Sequence, residues 1–289
     1  MLPLRKQHEI VRLIRLDRPY GILLLLFPTL WSLFIASSLR PSAKHLMVFI
    51  LGSFFMRSAG CVMNDMADYK FDAQVKRTEN RPLAKGTLTH KQAMFVLIAL
   101  LIGSFCLVLL LNRLTIALSF AALFLAFLYP FTKRVTYGAQ AVLGITFSFG
   151  ILMAWTAATG ELSVTPFLIL MANLFWACGY DTIYAMMDRQ DDMKIGVKST
   201  AVFFGSKSNQ AVGIFFALVI FFLVLVGWKA EMGKGYYLGL IIVAGVFLYQ
   251  TVLLRAGLTE DRLFSFFKGH VFVGGVILTG IILNDYWGG

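Results

Sequence analysis

The sequence predicts an all-α, polytopic membrane protein: about nine transmembrane helices in a single domain spanning residues 1–289. Three observations carry that expectation. Hydrophobic residues make up 58% of the chain and charged residues 14%, against roughly 25% charged in soluble domains. Apolar stretches recur along the whole length, each near the ~20 residues that a hydrocarbon layer of roughly 30 Å demands of a helix. Lys and Arg also crowd the connections on one side of those stretches, as cytoplasmic loops do.

The first element precedes the spans. "MLPLRKQHEIVRLIRLDRPYG" lacks an apolar core followed by a small-residue cleavage site, so it does not read as a removable signal. "HEIVRLIRLDRP" fits an amphipathic interfacial helix, with Ile10, Leu13 and Ile14 on one face and arginines on the other. The candidate spans follow near 20–38, 46–64, 92–111, 114–131, 138–158, 166–186, 209–228, 236–254 and 268–286. With the N-terminus inside, five of the 26 basic residues lie outside (Arg40, Lys44, Arg113, Lys229, Lys234) and Arg57 falls within span two, which leaves twenty inside. The N-terminus is therefore expected in the cytoplasm. The net charge of +11 is confined to that face, so topology accounts for most of it without a nucleic-acid partner. Gly52, Gly60, Gly144 and Gly150 recur on the spans, where small residues let helices approach closely. Cys61, Cys106 and Cys178 sit singly in apolar runs and read as small buried residues. Their spacing fits neither a metal site nor a disulfide framework.

Two acidic clusters interrupt this pattern, "NDMADYKFD" at 64–72 and "DTIYAMMDRQDD" at 181–192, after spans two and six on the inner face. On a helix continuing out of span two, Asp65, Asp68 and Asp72 are three and four apart and share a face, as do Asn64 and Asp68. Asp188, Asp191 and Asp192 repeat that geometry, with Asp181 almost two turns earlier. Stacked carboxylates repel, and the helix dipole disfavours acid at a C-terminus, so a merely solvated helix end explains them poorly. A hard divalent cation explains them better. Mg²⁺ takes oxygen ligands, keeps several waters, and commonly uses one or two carboxylates plus substrate phosphate oxygens.

Basic residues follow each cluster. "KRTENRPLAKG" supplies Lys76, Arg77, Arg81 and Lys85, "KIGVKSTAVFFG" supplies Lys194 and Lys198, and "FTKR" adds Lys133 and Arg134. Acid followed by base on one face suits a phosphate or diphosphate bridged by metal, with guanidinium groups gripping its oxygens in bidentate fashion. Positive-inside topology is the plainer reading of the same loops. Arg57 lies at membrane depth, where a charge is costly and marks a functional site by default; it either pairs with a cluster carboxylate or receives an anionic substrate. Asp181, Asn173 and Tyr184 are further polar groups at depth, and Tyr129 and Pro130 end span four.

"NDMADYKFD" resembles the NDxxDxxxD signature of the UbiA-type intramembrane prenyltransferases, and "DRQDD" resembles their second, DxxxD-like motif. Within that superfamily "LDRPYGILLLLFPTLW", "KRTENRPLAKG" and "YDTIYAMMDRQDDMKIGVKSTA" are similar to the 4-hydroxybenzoate polyprenyltransferase branch, over essentially the whole chain. The resemblance implies helices around a central cavity, capped on the cytosolic side by the loops after spans two and six. It implies Mg²⁺-dependent transfer of a polyprenyl group from its diphosphate to the ring carbon ortho to the hydroxyl of 4-hydroxybenzoate, for ubiquinone biosynthesis. By motif, Asn64, Asp65, Asp68 and Asp72 match the first metal site and Asp188 and Asp192 the second, with Asp191 a looser match. Asp65, Asp68, Asp188 and Asp192 are the expected catalytic set. Arg57, Asn64, Arg77, Arg81, Arg134 and Lys198 are expected to bind the diphosphate or the benzoate carboxylate, Arg57 or Arg134 the latter. The expected partners are the two substrates and membrane lipid, with no obligate protein partner, in a bacterial inner membrane with the active site toward the cytoplasm. Two other readings remain: a member of the superfamily using another aromatic acceptor, and an ion-coupled transporter, which carboxylates near the midplane of the spans would favour.

Overall fold

A computed structural model of the chain describes residues 4–75 and 77–284; Lys76, read above as part of the basic run, lies outside them. Helices occupy nearly every expected position. A surface helix, α1 (Leu4–Leu13), leads into α2 (Tyr20–Ala36), α3 (Ala43–Asp72), α4 (His90–Val108), α5 (Arg113–Val135), α6 (Ala139–Thr159) and α7 (Val164–Ile195). A short α8 (Thr200–Phe204) and a 3-10 turn (Gly205–Lys207) precede α9 (Ser208–Lys229), α10 (Lys234–Leu254) and α11 (Glu260–Ile282). Among the described residues eight helices are long and apolar enough to cross a membrane, and the 17-residue α2 is a shorter apolar helix beside them.

Local chemistry sets the ends. Ser42, Thr89 and Asn112 accept from the backbone N–H three residues on and start α3, α4 and α5, Thr89 with Gln92 in a reciprocal capping box. The last span begins at Glu260 rather than near 268, where Glu260 and Asp261 in its first turn complement the helix dipole. α3 and α7 run on past the apolar stretch, to Asp72 and Ile195, and carry both acidic clusters on continuous helix.

α7 packs between α6 and α9, α5 packs on α6, and α3 on α4, while α2 touches α3, α6, α7 and α11. Polar pairs fix this arrangement where hydrophobic sorting cannot, since lipid tails are as apolar as the helices. Trp31 Nε1 donates to the Gly274 carbonyl at 3.0 Å, Trp176 Nε1 to His270 Nδ1 at 2.8 Å, and Asn173 Nδ2 to Ser148 Oγ at 2.9 Å. Gly144 admits the backbone of α7, since a Cβ there would lie 3.0 Å from the Leu174 carbonyl oxygen. Gly52 and Gly60 serve differently: a Cβ at either would meet nothing within 4 Å, and both line the central cavity. Cys61 and Cys178 are buried, but Cys106 is exposed on the outer surface of α4. Phe95, Phe124 and Trp228 are 76%, 66% and 75% exposed. Large apolar side chains presented outward to that extent require hydrocarbon as the solvent.

Candidate active site

Between α2, α3, α5, α6 and α7 lies a cavity of about 620 Å³, within the range of small-molecule sites. The caps expected after spans two and six close one end. Residues 73–75 and 77–89 fold as a series of turns over the end of α3. The segment from Gly196 to α8 is fastened to the end of α5 and the start of α6: Lys198 N donates to the Lys133 carbonyl at 3.0 Å and Thr200 N to Gln140 Oε1 at 3.2 Å.

Asn64, Asp68 and Asp72 follow one another every four residues along α3 and line the cavity. Asp188 and Asp192 on α7 line it too, so both motifs address the same space. Each cluster is laced to cations. Arg81 Nη1 spans Asp65 Oδ1 at 3.2 Å and Asp72 Oδ2 at 2.8 Å. Lys133 Nζ donates to Asp68 Oδ2, while Arg134 Nη2 donates to the Ala67 carbonyl at 2.7 Å and to Asp68 Oδ1 at 3.4 Å. Arg77 reaches from the first cap to α7, with Nε 2.8 Å from Asp188 Oδ1, Nη2 on Oδ2, and Nη1 on the Tyr184 hydroxyl. Its guanidinium lies 4.7 Å from the Tyr184 ring centre. Burial disfavours the charged forms of Arg77 and Arg81, but their neighbours outweigh it, the Tyr184 hydroxyl and then Asp188 for Arg77, and Asp65 and Asp72 for Arg81; both pKa values rise above the ordinary arginine value.

The structure separates other expected residues from the cavity. Asp65 is 1% exposed and off the lining, with both carboxylate oxygens taken by Arg15 Nη2 at 2.8 and 2.9 Å. Asp191 pairs with Lys194 at 3.2 Å on the exposed side of α7, and Lys85 reaches Asn80 at 3.3 Å. Lys198, by contrast, does line the cavity, and it donates to the Val135 carbonyl at 3.0 Å.

Deeper in, Arg57 lies two turns below Asn64 on α3. Its Nη1 donates to Cys61 Sγ at 2.7 Å, its guanidinium sits 5.7 Å from the Phe147 ring centre, and its Nε has no partner among the described residues. Gly21 on α2 makes the room, since a Cβ there would fall 2.8 Å from Arg57 Nη2. Tyr129, Tyr180 and Asp181 lie within electrostatic range of it, and the Tyr180 hydroxyl is also unpartnered.

Arg15, Lys133 and Tyr180 escaped assignment from sequence. Arg15 reads as one arginine among several on a surface helix, and its partner is 50 residues away. Lys133 was visible only as half of a basic pair.

Among the described residues no three His, Cys, Asp or Glu side chains gather closely enough to hold a metal in place, because the arginines and lysines stand between them. The donor set nonetheless fits Mg²⁺: one amide and four carboxylates, all hard oxygen donors, face a single cavity from two helices, with room for the waters and phosphate oxygens that this ion keeps.

An all-helical bundle enclosing a cavity with two facing acidic motifs and a basic rim defines a polytopic membrane protein with a polar site inside its helices. The chain belongs to the UbiA prenyltransferase family, whose model matches residues 25–274. It is 48% identical over 276 residues to the 4-hydroxybenzoate octaprenyltransferase of Vibrio campbellii, covering 96% of each chain. It is 48% identical over 264 residues to the protein of that name from Pseudomonas aeruginosa, covering 90% of this chain and 88% of that one. A UbiA homolog from Aeropyrum pernix shares the fold with a TM-score of 0.81 at 24% identity, over 91% of this chain and 98% of that one. A homolog from Archaeoglobus fulgidus, solved bound to GPP and Mg²⁺, does so with a TM-score of 0.75 at 17% identity, over 96% and 99%.

Proposed function

We propose that this protein is a 4-hydroxybenzoate polyprenyltransferase of ubiquinone biosynthesis. It transfers a polyprenyl group from its diphosphate to the ring carbon ortho to the hydroxyl of 4-hydroxybenzoate and releases diphosphate. The observation that carries the reading is the pair of acidic sets on α3 and α7, facing one cavity beneath the basic rim of Arg77, Arg81 and Lys133.

Asn64, Asp68 and Asp72 on one wall and Asp188 and Asp192 on the other would hold Mg²⁺, which would supply charge neutralisation to the leaving diphosphate. Arg77, Arg81, Arg134 and Lys198 bring donors to the same oxygens, preorganised by the carboxylates and carbonyls that already aim them. The isoprenoid tail runs along apolar lining such as Leu24, Val48, Phe49, Leu143 and Met153. That lining keeps water from the allylic cation left when the C–O bond breaks. The faces of Phe147 and Tyr184, which already attract Arg57 and Arg77, offer the cation the same quadrupole attraction. Arg57, deep, charged and partly unpartnered, is placed to hold the benzoate carboxylate and turn the ring toward the allylic carbon. Arg134, engaged at the rim by Asp68 and the Ala67 carbonyl, belongs with the diphosphate. The positive-inside bias supports a capped end in the cytoplasm, with a bacterial inner membrane as the proposed setting.

Membranes carrying the chain, supplied with a polyprenyl diphosphate and Mg²⁺, should convert 4-hydroxybenzoate in preference to a dihydroxynaphthoate or homogentisate. Preference for another ring would transfer the assignment to that acceptor. No prenylated product from any of them, with folded protein, would remove the enzyme reading and leave transport.

A further inference from the structure

Asp65 stands inside the acidic signature, yet its surroundings differ from those of its neighbours. At about 100° per residue, Asn64, Asp68 and Asp72 form a slowly turning stripe with about 40° between members. Asp65 is about 100° round from Asn64 and within about 20° of Asp72, but two turns deeper, where Arg15 at the end of α1 reaches it. There Arg15 Nη2 takes both its oxygens, at 2.8 and 2.9 Å, and Arg81 takes Oδ1 a second time at 3.2 Å. The carboxylate is 1% exposed and absent from the cavity wall that Asn64, Asp68 and Asp72 share.

Arg15 is unusual in its own right. α1 ends in a Schellman arrangement, with Leu16 N donating to the Val11 carbonyl at 3.0 Å. The residue before Leu16 must then take the left-handed conformation, the position where glycine is the usual occupant. Here it is arginine, with φ 58°. A side chain kept against that backbone preference indicates use of the side chain. Its Nη1 caps the Arg12 carbonyl at 2.8 Å, which steers Nη2 onto Asp65. The whole of α1 is fastened to the first cap as well: Arg12 Nη2 donates to the Asn80 carbonyl at 2.7 Å and Thr87 Oγ1 to Glu9 Oε2 at 2.8 Å.

We propose that Arg15 and Asp65 are positioning residues. They form a fixed anchor that holds the Arg81 guanidinium at the cavity rim for the diphosphate, and Asp65 is not a ligand of the metal. The chain of contacts runs from the surface helix through Arg15 to Asp65, then to Arg81, whose Nη1 also reaches Asp72. Losing the anchor frees Arg81 to collapse wholly onto Asp72, away from the donor. The inference rests on the prenyltransferase reading above.

The test uses the full-length chain in lipid nanodiscs and two direct binding measurements: Mn²⁺ by electron paramagnetic resonance, and a prenyl thiolodiphosphate that does not ionise. Glycine suits the left-handed position in Arg15→Gly, which offsets part of the cost of unpairing the buried Asp65, and a melting curve on each variant selects folded protein for the comparison. Arg15→Gly should bind the analogue at least tenfold more weakly, with Mn²⁺ affinity within twofold. Asp65→Asn should behave the same way, Arg15→Lys should recover part of the loss, and Asp68→Asn should weaken Mn²⁺ itself. Wild-type analogue affinity in Arg15→Gly overturns the anchor. A tenfold loss of Mn²⁺ affinity in Asp65→Asn but not in Arg15→Gly restores Asp65 to the ligand set and overturns the inference, while the activity reading stands. A wild type that binds Mn²⁺ but no analogue overturns the activity reading, and the anchor with it.

Discussion

Arg77→Gln separates the roles a cation at this site can play. Arg77 joins the first cap to α7 across 111 residues of chain, through two hydrogen bonds to Asp188 and one to Tyr184. Its side chain is 36% exposed and that of Asp188 16%. Ion pairs this open contribute up to about 1 kcal/mol, so the substitution should leave thermal stability nearly unchanged. The cost falls instead on the donor. A hydrogen bond to a charged group contributes roughly 1.5–3 kcal/mol, which at about 1.4 kcal/mol per decade is on the order of a 10- to 100-fold rise in KM for the polyprenyl diphosphate. The KM for 4-hydroxybenzoate should stay near wild type. Initial rates in proteoliposomes against donor concentration, with a melting curve on the same preparation, read both quantities. An unchanged donor KM with a lowered Mg²⁺ requirement would refute the reasoning, since Arg77 would then be only a latch on Asp188. A fall in activity matched by loss of folded protein would refute it equally.

At the deep end the expectation reverses. Arg57→Gln should raise the KM for 4-hydroxybenzoate by about 10-fold or more, from the same charged-bond magnitude, and spare the donor. Gly21→Ala should do part of the same without touching any charge, because the new methyl displaces the Arg57 guanidinium; steady-state kinetics with each substrate varied in turn would show it. Gly144→Ala, remote from the chemistry, presses a Cβ to within 3.1 Å of both the carbonyl oxygen and Cα of Leu174. Backbone yields poorly, so stability should fall by roughly 1–3 kcal/mol, seen as a lower melting temperature in detergent with unchanged KM values.

Most of the scaffold was legible because membrane spans are written redundantly. Twenty apolar residues in a row tolerate small errors at the ends, which is why α11 begins at Glu260 rather than near 268 without any change of topology. The acidic stripes were legible for a related reason: Asn64, Asp68 and Asp72 are helical neighbours, and spacing alone places them on one face. Relations between distant segments were not. Nothing near Arg15 announces Asp65, and nothing in "FTKR" says that Lys133 rather than Arg134 makes the closer approach to Asp68. Asp65 shows the limit within a motif, since spacing puts it on nearly the same side of α3 as Asp72, and only the approach of Arg15 two turns deeper takes it off the cavity wall. Gly52 and Gly60 show it for packing, where the same residue type that lets α6 meet α7 at Gly144 instead leaves a cavity open.

In the proposed reaction the two acidic motifs act together on one metal-bridged diphosphate. The most direct test supplies labelled 4-hydroxybenzoate and a polyprenyl diphosphate to membranes carrying the wild type or Asp188→Asn, with Mg²⁺ or with EDTA. Lipid-soluble label that forms only with Mg²⁺, and falls at least tenfold in the variant, is the expected result. Label that forms equally well in EDTA, or at the wild-type rate in folded Asp188→Asn protein, would contradict it.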